Sequence, residues 1–125
     1  MRREASNFAF NMRDREIIDL MNSIGVNKNI SKVVVFLDRT GEAKSRTIED
    51  SVDLRQSEVS IITTWLRSKG WVTFRTIKKK GKGRPTNMFK MRYSLGRIVK
   101  EIEAEKITEM EDIKKRINHL KRLAK

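Results

Sequence analysis

The chain has 125 residues, enough for one domain with a modest core and one protruding element, and it carries 29 basic against 16 acidic side chains for a net charge of +13. It contains no cysteine, which excludes disulfides, thiolate zinc sites and cysteine nucleophiles. No apolar run approaches the ~20 residues needed to span a bilayer, and Met1-Arg2-Arg3-Glu4 leads into no continuous apolar stretch of the kind a secretory leader has. A soluble, cytoplasmic chain without a membrane partner is expected.

Residues 1 to 10 are mixed, with Phe8 and Phe10 as their large apolar groups. Asn11 is placed to cap a first helix over about residues 12 to 24, with Ile17, Leu20, Met21 and Ile24 at helical spacing and Gly25 as its stop. A second helix is predicted from about 29 to 39, built on Ile30, Val33, Val34, Phe36 and Leu37 and ended by Gly41. The β-branched run Val33-Val34-Val35 also has strand character, but the three-and-four spacing and the flanking cap signals favour helix. A short third helix fits residues 46 to 52 with Ser45 as its cap, and a fourth fits 56 to 69, ending at Gly70. Residues 71 to 77, Trp-Val-Thr-Phe-Arg-Thr-Ile, read as a strand, residues 78 to 85 as a basic loop, and residues 87 to 94 as the returning strand. From Leu95 onward one long helix is predicted. The expected fold is therefore mainly α with a small β-hairpin (α+β), with residues 1 to 94 as one domain and 95 to 125 as a helical extension.

Charge is concentrated along this order. After Glu58 the next acidic residue is Glu101, and residues 59 to 100 hold twelve basic side chains. That segment carries +12, leaving +1 for everything else. A block of one sign makes a field that attracts a polyanion, and nucleic acid is the usual one.

The fourth helix divides its residues by face. Val59, Ile62 and Leu66 share one side and anchor it in a core, while Gln56, Ser57, Ser60 and Ile61 lie toward the other. Gln makes a paired hydrogen bond to adenine, Ser contacts a base or a phosphate, and an exposed Ile meets a thymine methyl. The string Leu54-Arg55-Gln56-Ser57-Glu58-Val59-Ser60, then Leu66, then Lys69-Gly70-Trp71-Val72, resembles the recognition-helix segment of MarR- and ArsR-type winged-helix regulators. Those families often show Leu-Ser-Gln-Ser-Thr-Val-Ser, a leucine six residues on and Gly-Leu-Val. The resemblance implies a helix-turn-helix over about 45 to 70, a wing over about 71 to 94, and double-stranded DNA as partner. The expected DNA contacts on the helices are Ser45, Arg46, Arg55, Gln56, Ser57, Ser60 and Ile61. Three departures stand out. Arg55 occupies the place of a serine cap, Ile61 stands where a basic or polar group is common, and Glu58 is an acid on a helix that should face phosphates. Glu58 is open to two readings, an acceptor for a cytosine amino group or a stabiliser of the helix start.

The loop Lys78-Lys79-Lys80-Gly81-Lys82-Gly83-Arg84-Pro85 contains Gly-Arg-Pro, which resembles the core of an AT-hook and is similar to wing tips of archaeal winged-helix regulators. Glycine allows close backbone approach, proline holds the chain extended, and Arg84 can enter a narrow minor groove. Lys78, Lys79, Lys80 and Lys82 suit phosphates.

In the tail, Leu95, Ile98 and Ile102, then Met110, Ile113, Ile117 and Leu120 after a phase shift near Ile107, form an interrupted coiled-coil seam. Acids crowd residues 101 to 112 and bases residues 113 to 125, so an antiparallel homodimer with its midpoint near Met110 is expected, with Phe8 and Phe10 packed against it. No residue set reads as catalytic or metal-binding. His119 is the lone histidine, and no serine has a base suggested nearby. No cofactor or small-molecule ligand is indicated. The leading expectation is a sequence-specific homodimeric regulator. The alternatives are a nucleoid-associated architectural protein with little sequence preference, and an interaction module that has lost DNA binding.

Overall fold

A computed structural model describes residues 8–78 and 83–125. The elements in chain order are α1 (Met12–Ser23), α2 (Lys28–Thr40), β1 (Glu42–Lys44), α3 (Ser45–Val52), α4 (Gln56–Ser68), β2 (Val72–Ile77), β3 (Thr86–Met91) and α5 (Leu95–Leu123). They fall into two compact units, the first ending at Leu95 and the second Gly96–Lys125.

Local chemistry sets the helix ends. The Asn11 side chain accepts from the Asp14 amide at 2.8 Å and the Asp14 carboxylate accepts from the Asn11 amide at 3.0 Å, a reciprocal capping box. Asn27 caps α2 by accepting from the amides of Asn29 and Ile30, so α2 starts slightly earlier than the apolar spacing alone implies. Gly41 ends α2 at φ +87°, a left-handed conformation that side chains rarely adopt. Ser45 is not the cap of α3. It is the first helical residue, and its hydroxyl donates to the Glu49 carboxylate at 3.2 Å.

α2 is the centre of the core. Five consecutive residues, Val33–Leu37, are buried, because α2 packs against α1, α3, α4 and the sheet at once. A helix covered on several sides is apolar around its circumference, which is why the valine run is helical here despite its β propensity. Phe8 meets Phe36 edge-on at 4.7 Å and Phe10 at 4.9 Å. Phe8 therefore packs on α2 and Phe10 packs on Phe8. Arg39 holds the same corner, donating to the buried Asp14 carboxylate at 2.6 Å and to the Ala9 carbonyl at 2.9 Å.

The sheet has three antiparallel strands in the order β1-β3-β2. β1 is absent from the sequence expectation. Ala43 stands opposite Phe89, which stands opposite Phe74, and Ala43 and Phe89 are buried. The same pairing places Glu42, Lys90 and Thr73 in one row on the other face.

α5 runs for 29 residues, about 44 Å at ~1.5 Å per residue. Ile98 and Ile102 are buried in the single chain and Leu95 is half-buried, whereas Met110, Ile113, Ile117 and Leu120 are exposed.

Candidate nucleic-acid interface

α3 and α4 pack on each other through a three-residue turn. Asp53 adopts a left-handed conformation, φ 56°, one of the few side chains that tolerates it, and Leu54 is buried behind it. Helical periodicity of about 100° per residue turns Val59, Ile62, Thr63 and Leu66 of α4 inward, and all four are buried. The Thr63 hydroxyl is satisfied there by donating to the Val59 carbonyl at 2.9 Å. Gln56, Ser57, Ser60, Ile61 and Thr64 occupy the other side and are exposed. Glu58 accepts from the Arg55 amide at 3.1 Å. Its carboxylate thus stabilises the helix start, the second of the two readings the sequence left open. Arg55 has no acceptor to return the bond, so the cap is one-sided, and its guanidinium is left at the exposed mouth of the helix.

The hairpin β2–β3 stands beside α4. The guanidinium of Arg67, the penultimate residue of α4, lies 4.0 Å from the centroid of the Phe74 ring on β2, a cation–π contact that joins helix to hairpin. On the sheet's outer face Arg75 grips Glu42 with two bonds, 2.9 Å from Nε to Oε2 and 2.7 Å from Nη2 to Oε1. These bonds span from β2 across β3 to β1. They hold the Glu42 carboxyl below its ordinary range and raise the Arg75 guanidinium above its own. Arg75 is thereby engaged by a partner on its own chain, although it is exposed and belongs to the basic block. Further along the hairpin the Thr76 hydroxyl donates to the Asn87 side chain at 3.0 Å.

Between α3, α4 and β3 lies an open groove of about 630 Å³, whose lining includes Ser45, Arg46, Gln56, Ser60, Pro85 and Asn87. Four of the expected contact residues therefore share one concavity with the proline of the Gly-Arg-Pro motif. Ser57 and Ile61 lie on the adjoining exposed flank of α4, and Lys78 and Arg84 are exposed on the two sides of the hairpin loop. Lys79, Lys80 and Lys82 lie outside the described residues. Arg46 is exposed and lies 3.6 Å from Asp50, a distance and exposure at which an ion pair is weak. Thr64 and Asn87 were missed by the sequence reading. Thr64 was discoverable, because it follows Ser60 by four and Ile61 by three on the same helix face. Asn87 was not, because its place beside α4 depends on the fold of the hairpin. Among the described residues no cluster of three His, Cys, Asp or Glu side chains is placed to hold a metal ion, and no helix is long and apolar enough to cross a membrane.

Helix–turn–helix followed by a hairpin, with a third strand from the segment before α3, is an arrangement seen in solved structures. A possible transcriptional regulator from Methanosarcina mazei Go1 superposes with a TM-score of 0.58 at 15% identity, over 87% of this chain and 91% of that one. A MarR-family transcriptional regulator from Silicibacter pomeroyi matches with a TM-score of 0.52 at 15% identity, over 79% and 64%. The archaeal chromatin protein TrmBL2 matches with a TM-score of 0.56 at 17% identity, over 88% of this chain and 41% of its own. The fold is the winged helix. By sequence, no family model and no curated protein matches the chain. In the topology of that fold α4 holds the place of the second helix of the helix-turn-helix and β2–β3 the place of the wing.

Proposed function

We propose that this protein is a sequence-specific double-stranded DNA-binding regulator that acts as a homodimer, with α4 in the major groove and the Gly-Arg-Pro wing in the minor groove. The observation that carries this reading is the groove between α4 and the wing, which gathers Ser45, Arg46, Gln56 and Ser60 with Pro85 and Asn87. The acids around it are already engaged. Glu58 accepts from the Arg55 amide, Glu49 from Ser45, and Glu42 from Arg75. A phosphate backbone entering there meets uncharged donors and the exposed cations Lys44 and Arg46 beside the half-buried Glu49, while Arg55, Lys78 and Arg84 are exposed outside the groove and Lys79, Lys80 and Lys82 belong to the same basic loop.

Dimer formation is supported by the exposed tail residues Met110, Ile113, Ile117 and Leu120, which continue at three-and-four spacing. The acids at residues 101 to 112 and bases at 113 to 125 match in an antiparallel pair and repel in a parallel one. The dipole of a single helix favours the same order of charge, but that effect fades within about one turn and this pattern runs further. Because Ile98 is buried in the single chain, cross-linking is best probed with cysteines at Glu103 and Ile117, both exposed. Oxidised in a mixture, the two variants join 103 to 117 in an antiparallel pair centred near Met110. Efficient 117-to-117 bonding in the single variant marks a parallel pair and overturns that arrangement.

A second reading is an architectural protein with little sequence preference. It is favoured by the fold shared with the chromatin protein TrmBL2. A salt titration against a duplex selected from a random pool and against its scrambled copy separates the two readings. A specific regulator keeps a large affinity ratio between the duplexes as salt rises, whereas an architectural protein releases both together, since non-specific binding is nearly all electrostatic.

A further inference from the structure

Between Gln56 and Thr64 the exposed face of α4 carries no cation. From Gln56 through Thr64 it presents Gln56, Ser57, Ser60, Ile61 and Thr64. The next basic residue on the helix, Arg67, is stacked on Phe74. Arg55 precedes the helix and is exposed at its mouth, a place that suits phosphates. Guanine is read in the major groove chiefly by Arg or Lys on its O6 and N7, and the stretch from Gln56 to Thr64 offers neither. Ile61, by contrast, is 71% exposed. A lone exposed aliphatic residue is ordinary, but its neighbour Thr64 extends the apolar character. The Thr64 hydroxyl donates to the Ser60 carbonyl at 2.8 Å, so its proton is already used and this exposed residue has its methyl left to offer a ligand. The major groove has one apolar feature, the thymine C5-methyl.

Resting on the reading of α4 as a recognition helix, we infer that the protein reads A·T pairs in the major groove, with Ile61 and Thr64 packing on thymine methyls and Gln56 pairing with an adjacent adenine. The wing selects the same base pairs by a separate property. A·T tracts narrow the minor groove and deepen its negative potential, which draws an inserted arginine such as Arg84. The two halves of the interface therefore converge on one composition through different atoms.

Base analogues isolate those atoms. The probe is a duplex recovered by selection from a random pool, compared with copies in which defined thymines become deoxyuridine, which lacks only the C5-methyl. In the central positions of each half-site this change is expected to weaken binding about fourfold per methyl, the value of burying one methyl-sized group. The Ile61→Ala protein, altered at an exposed position, is expected to bind the thymine and uracil duplexes alike. Restoring a methyl with 5-methylcytosine in place of cytosine at such a position is expected to recover affinity for the unaltered protein and not for Ile61→Ala. In the flanks, uracil and inosine·cytosine pairs, which preserve the A·T-like minor groove, are expected to be tolerated. Selected sites with an obligatory guanine at their centre, or equal binding of thymine and uracil copies by the unaltered protein, overturn the inference while leaving DNA recognition standing. Failure to bind any duplex overturns both.

Discussion

Helix α4 and the hairpin β2–β3 border one groove of the first unit and are built on opposite plans. Across five exposed positions from Gln56 to Thr64, α4 shows amides, hydroxyls and methyl groups, and its single acid is folded back on its own amino end. The hairpin loop is almost purely cationic, with four lysines and Arg84 between Lys78 and Pro85. Neutral groups discriminate bases but attract a duplex poorly, while cations attract any duplex and discriminate little. The contrast separates two properties that are often merged, and it predicts that affinity and selectivity respond to different substitutions.

The largest effect is expected from the wing. Replacing Lys78 and Lys82 together with glutamine should weaken binding to selected and scrambled duplexes alike, by ~1.5–3 kcal/mol for each charge-assisted hydrogen bond removed. The slope of log affinity against log salt should fall by ~0.9 for each phosphate no longer neutralised. Arg84→Ala alone should weaken binding most where the flanks are A·T-rich. Gel-shift titrations over a salt series check both points, and a weakening confined to the selected duplex would break the division of labour.

Gln56→Ala comes next. It should relax selectivity at one or two positions per half-site by ~1–3 kcal/mol and leave the salt slope unchanged. Repeating the random-pool selection with this variant reads the result directly. A uniform drop in affinity with the same preferred sequence would mean that α4 reads no base at Gln56.

Smaller effects belong to the interactions that hold the two elements together. Arg67→Ala removes the stack on Phe74 and should lower stability by ~0.5–1 kcal/mol, in line with an exposed cation–π interaction. Thermal unfolding with and without DNA measures it. Least affected should be the Arg75–Glu42 brace. Although Arg75 belongs to the basic block, Arg75→Gln should leave the salt slope alone, because its guanidinium is already gripped by Glu42. Since the Glu42 carboxyl is held below its unfolded value, the brace is fully present above the ordinary carboxylate range and disappears as pH falls through the lowered one. Glu42→Gln should abolish that acid-side dependence in a pH series of melting curves.

Much of this was legible in the chain because the signals are local. Asn11 as a cap, the glycines at 25, 41 and 70, and the three-and-four spacing of Val59, Ile62 and Leu66 each act within a turn or two. What escaped depends on partners distant in sequence. β1 is three residues long and has no strand pattern of its own; it exists because Ala43 finds Phe89. The burial of Ile98 and Ile102 was hidden for another reason. Helical spacing shows that residues share a face, not what covers it, so they read as one seam with Met110 and Ile113 although their exposures differ. The residues Thr64 and Asn87 show the same divide within the interface, the first readable from α4 alone and the second only from the folded hairpin.

One element in each groove is a claim with a direct measurement. The chain has no cysteine, so single cysteines at Ser57 on α4 and at Lys78 beside the wing loop can each carry an iron chelate that cuts nearby DNA by hydroxyl radicals. The direction in which the cuts are offset between the two strands reports the groove from which the radicals came. On a selected duplex the expected result is a major-groove offset from position 57, a minor-groove offset from position 78, and cuts confined to fixed positions. The same offset from both sites, or cuts spread evenly along the duplex, would contradict it.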